Sequence, residues 1–147
     1  MDNFPIIRVI TKLLMPYILL FAFYVQFHGD FGPGGGFQAG VILAAGLILY
    51  GLVFGLPALH KVAPPSAIER LIALGVLIYA GTGVATILLG GKFLDYDVLS
   101  HHVLPGWLPE GQHLGIFVVE LGVGITVTSV MTVIFYCFAG REPVDGT

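Results

Sequence analysis

Charge is what this chain has least of: Asp, Glu, Lys and Arg together make up 10 % of its 147 residues. A soluble globular chain carries about 25 %, so a soluble fold of this length lacks the polar surface it would need. Six Lys and Arg against nine Asp and Glu leave a net charge of −3, which excludes the basic footprint of a nucleic-acid binder. Cysteine is nearly absent. Cys137 stands alone, so there is no internal disulfide, and one thiol makes neither a metal site nor a redox pair. No Ser-His-Asp or Cys-His arrangement and no ligand set for a cofactor or metal is apparent. The chain alone is not expected to be an enzyme.

What is present is apolar: 56 % of residues are hydrophobic and mean hydropathy is +0.94. About 20 mostly apolar residues carry a helix across a bilayer, and four runs qualify, approximately 6–27, 37–59, 68–90 and 114–139. They are continuous rather than alternating, which argues against a strand barrel. The expected architecture is an all-α integral membrane protein, a single membrane domain over 1–147 built as a bundle of four transmembrane helices. Pro16 lies inside the first run, and the part beyond it is too short to span alone at about 1.5 Å per residue. The span therefore starts before the proline and kinks there. The alternative is a surface-lying helix up to Leu14. Arg8 and Lys12, four residues apart, are placed to snorkel towards headgroups. Residues 23–27 offer no small-residue cleavage site, so the first run reads as retained rather than as a signal peptide.

Basic residues set the orientation. With both termini on one side, that side holds Arg8, Lys12, Lys61, Arg70 and Arg141, and the other only Lys92. Both termini are expected to be cytoplasmic, with the loops 28–36 and 92–113 outside. Glycine is abundant, at 21 residues. Gly51/Gly55, Gly40/Ala44 and Gly122/Thr126 have the four-residue spacing that lets helices approach closely in lipid. Spacing alone does not say whether the packing is internal or against other subunits.

Two features carry candidate chemistry. Glu120 is the one acid inside the fourth run, roughly 9 Å below its outer end at helical rise. An ionised side chain near the bilayer centre costs about 2.5–3.5 kcal/mol, so it must be paired, turned inward or hydrated. Gly124 and Thr128 share its helix face. Glu120 with Thr128 is the candidate for a proton relay or monovalent-cation site, and the alternative is a structural hydrogen bond to a neighbouring helix. The second feature is the glycine loop, with His28, Asp30, Pro33, Gly34, Gly35 and Gly36 as candidates. Its N–H groups at a helix N-terminus would suit an anion or a carboxylate from another subunit, while the simpler reading is a tight turn joining two helices. It is not a P-loop, because no Lys-Ser or Lys-Thr follows. In the second outer loop, His101, His102 and His113 lie near Asp95, Asp97 and Glu110, but their spacing fits no standard metal set. Tyr96 and Trp107 there suit an interfacial aromatic belt.

The loop from His28 to Gly40, HGDFGPGGGFQAG, and the run from Gly115, GIFVVELGVGITV, together resemble the MnhB/MrpB family, the B-type subunits of the multi-subunit Mrp-type Na⁺/H⁺ antiporter. The resemblance covers nearly the whole chain, with departures at Asp30 and Ala39. It implies a place in a cell-membrane complex with large subunits similar to those of respiratory complex I and with other small membrane subunits, exchanging Na⁺ for H⁺. It is equally compatible with the sodium-translocation module of a membrane-bound hydrogenase-like complex. A self-sufficient four-helix transporter is the remaining alternative.

Overall fold

The computed structural model describes residues 5–29, 34–96, 98 and 111–141. Their secondary structure is helical, without strands: α1 (Pro5–His28), α2 (Gly36–Phe54), α3 (Leu56–Val62), α4 (Pro65–Leu88) and α5 (Gly111–Ala139). All but α3 are long and apolar enough to cross a membrane. α1 runs unbroken through Pro16.

The apolar run read as 37–59 is divided at Gly55. Gly55 has φ of 89°, a left-handed conformation that costs an L-residue roughly 1–2 kcal/mol and glycine nothing. Its N–H donates to Gly51 O at 2.9 Å and closes α2. Pro57 then stands in the first turn of α3, where its missing N–H and fixed φ suit a helix start.

The four long helices form a row: α1 packs on α2, α2 on α5 and α5 on α4, and α1 also touches α5. α2 and α5 run parallel. Gly36 meets Glu120, Gly40 meets Gly124 and Val127, and Gly51 meets Phe135. α4 crosses α5 antiparallel where Gly75 meets Gly122 and Thr126. These interfaces use small residues: Ala22, Ala39 and Ala44 are fully buried. Large apolar side chains point outward instead, with Leu88 81 % and Leu77 67 % exposed. That inversion suits a solvent as apolar as leucine, in which close backbone contact rather than hydrophobic burial holds helices together.

One compact apolar cluster sits at the α3 end, where Leu59, Ala63 and Ile68 are buried beneath Phe135 and Tyr136. The Tyr136 hydroxyl donates to Ala63 O at 2.6 Å, and its ring takes His60 edge-on at 4.8 Å. At the same end Arg8 and Lys12 lie over the Phe54 ring, 5.6 and 5.7 Å from its centroid, within cation–π range. At the opposite end, the chain after α4 folds back. Leu94, with φ of 63°, donates its N–H to Thr86 Oγ1 at 3.0 Å, and Tyr96 covers Gly115. Burial, and secondarily Tyr79, push the Tyr96 phenol above its ordinary range.

Candidate functional site

The two sequence features meet. The end of α1, the start of α2 and the face of α5 bearing Glu120 converge at one point. A Cβ added to Gly35 would lie 2.7 Å from Glu120 Oε1, and one added to Gly29 would lie 2.5 Å from Oε2. The carboxylate therefore fills the space that side chains at those two glycines would take. One residue on, a Cβ at Gly36 would fall onto the Glu120 backbone itself, 2.7 Å from its carbonyl carbon. Here the glycine run is explained by contact: two helix backbones cross with no side chain between them.

Position gives the carboxylate an electrostatic role. Gly35 is the N-cap of α2 and has no side chain with which to cap it. Glu120 Oε1 lies in the space beside Gly35 that a side chain there would enter. The first-turn N–H groups of a helix carry its positive end, and a negative group there is worth about 0.3–1 kcal/mol. Glu120 of α5 is the acidic side chain set beside the first residues of α2. A carboxylate of the chain itself, Glu120, stands at the glycine loop.

Below Glu120 the seam continues through small and hydroxyl residues. Thr128 Oγ1 donates to Gly124 O at 2.8 Å and to Gly40 O at 3.1 Å, which bridges α5 to α2. Ser129 and Thr132 are buried, and each donates to the carbonyl four residues back, Ile125 O and Thr128 O. Such back-bonding satisfies a hydroxyl without a partner helix. Gln26 of α1 completes the cluster. It is buried, with its Oε1 against Gly124.

The other loop candidates separate. Gly34 packs on Val25, and His28 is exposed with its ring stacked on Tyr24 at 5.1 Å. Asp30 and Pro33 lie outside the described residues, as do His101, His102, Asp97, Trp107 and Glu110. His113 is exposed at the start of α5. Sequence reasoning passed over Gln26 and Gly29. Gln26 had a signal, an amide at the end of an otherwise apolar run. Gly29 had none beyond its place in the loop.

The family described as "Domain related to MnhB subunit of Na+/H+ antiporter" matches residues 6–133, a stretch that includes both halves of the site. The chain is 33 % identical over 144 residues to a Staphylococcus haemolyticus protein named "Putative antiporter subunit mnhB2", covering 96 % of this chain and 98 % of that one. It is 32 % identical over 133 residues to the B-type subunit of the Na⁺/H⁺ antiporter of Alkalihalophilus pseudofirmus, covering 86 % and 90 %. The Bacillus subtilis protein of the same name is 32 % identical over 136 residues, covering 89 % and 93 %.

Proposed function

This chain belongs to the MnhB family of Na⁺/H⁺ antiporter subunits, and on that premise we propose that it serves in a multi-subunit antiporter complex with its Glu120–Thr128 seam beside the ion path. The observation that carries this reading is the enclosure of Glu120, an acid set among glycines where α1, α2 and α5 converge. A carboxylate held in lipid by backbone and dipole is a group whose protonation responds to a nearby cation or proton. Thr128, two turns along the same face, adds a hydroxyl whose lone pairs suit a hard monovalent cation. The complex sits in the cell membrane with the chain's termini inside. Its partners are large membrane subunits similar to those of complex I together with other small ones, and Na⁺ and H⁺ are the ions moved.

In inverted vesicles carrying the whole complex, Glu120→Gln should abolish Na⁺-dependent H⁺ movement while the subunits still assemble. Exchange at the wild-type rate would refute a transport role for this residue. The tight fit of Glu120 against Gly35 and Gly36 favours a second reading, in which the seam only holds the helices in place. Under that reading Glu120→Gln transports normally, and Gly35→Leu separates the complex on native gels. The purified chain reconstituted alone should move neither ion, because the outer faces of α1 and α4 are left open. Transport without partners would restore the self-sufficient transporter.

A further inference from the structure

Because α1 and α4 stand apart at the two ends of the row, a groove opens between them over α2 and α5. It has a volume of about 230 Å³ and is walled by Phe23 of α1, Leu43 of α2 and Leu71 of α4, with Gly124 and Thr128 in its floor. Gln26 also lines it. This amide is 6 % exposed, and its Nε2 has no hydrogen-bond partner among the described residues. The two hydroxyls beside it have already donated, Thr128 to Gly124 O and Gly40 O and Ser129 to Ile125 O.

A buried amide N–H without an acceptor is costly, and in hydrocarbon no water comes to relieve it. We propose that this groove receives one transmembrane helix from a neighbouring protein of the complex, which brings a hydrogen-bond acceptor to the Gln26 amide. The proposal rests on the reading of the chain as a complex subunit. A lipid acyl chain would fill the apolar walls but offers no acceptor, so the amide would stay unsatisfied. A helix satisfies both features. Its side chains fill a cavity of this volume. The acceptor is a side-chain carbonyl, hydroxyl or carboxylate, since the carbonyls of a regular helix are bonded within it. The wall residues are open to such a neighbour, with Phe23 52 % and Leu71 37 % exposed.

The test is photo-crosslinking in native membranes holding the whole complex, with benzoylphenylalanine placed singly at Phe23 and at Leu71. Both sites should give an adduct to the same transmembrane segment of a different subunit, identified by its cross-linked peptide. An adduct between two copies of this chain, or adducts to lipid alone while the complex is intact, would overturn the proposal. The subunit reading fails differently: no other subunit would then co-purify with the unmodified chain, and the groove proposal would fall with it. As a second measurement, Gln26→Leu removes the donor while leaving the chain's own hydrogen bonds intact. Its level in the membrane should hold, and adduct yield in mild detergent should drop about three- to tenfold, the value of one interhelical hydrogen bond in lipid. Unchanged yield with Gln26→Leu would show that the amide recruits nothing.

Discussion

Glycine at position 36 is tied to this fold more tightly than any neighbour in the loop, because the backbone of Glu120 occupies the place of its side chain. Gly36→Ala must push α2 and α5 apart. Overpacking of this kind costs about 1–3 kcal/mol, so the detergent-solubilised chain should melt at a clearly lower temperature. Among the described residues nothing lies within 4 Å of a Cβ at Gly81 of α4, and Gly81→Ala should be neutral or stabilising by about 0.5–1 kcal/mol through helix propensity. A thermal scan of both variants checks the contrast, and equal losses would discredit the crossing. At Glu120, alanine removes the side-chain oxygens beside the start of α2 whereas glutamine keeps one. Glu120→Ala should therefore cost about 0.5–2 kcal/mol and Glu120→Gln less, as read by hydrogen exchange at the first turn of α2. Both Glu120 and the glycine loop stood out in the sequence, one as an acid in an apolar run and the other as a run of small residues. Their meeting did not, since residues 84 positions apart (120 − 36) carry no pairing signal in a single sequence.

Among the elements, the four long helices were legible because lipid demands continuous apolar runs, and their number follows from counting them. The end of α2 was harder to read. Gly51 and Gly55 have the spacing of a helix-packing pair, yet only Gly51 packs, beneath Leu59 and Phe135, while Gly55 turns the chain. The sequence Gly55-Leu56-Pro57 carried the stop and restart signal, but the absence of charge from 37 to 59 masked it. Gly55→Ala should strain that turn by roughly 1–2 kcal/mol. The α3–α4 corner is held from the far end of the sequence by Tyr136. Tyr136→Phe removes only the hydroxyl, and the expected loss is about 0.5–1.5 kcal/mol. Faster exchange of the amides at 63–68, with α1 unaffected, is the measurement that reports it.

For the molecule as a whole, the distribution of basic residues predicts the orientation. In a Cys137→Ala background, Arg141→Cys should react with a membrane-impermeant maleimide only from the cytoplasmic face, and Lys92→Cys only from outside. The opposite pattern would invert the topology. Which helices adjoin was beyond the sequence, because small-residue spacing is shared by every pair that packs. The helix row also has a consequence for synthesis. A membrane chain is made from its N-terminus at about 5–20 residues per second, so the ribosome adds residue 36 roughly 4–17 s before it reaches residue 120. Throughout that interval the start of α2 waits for the last helix to be translated. A nascent chain stalled before position 120 should leave that end open to chemical probes, and its release to full length should seal it.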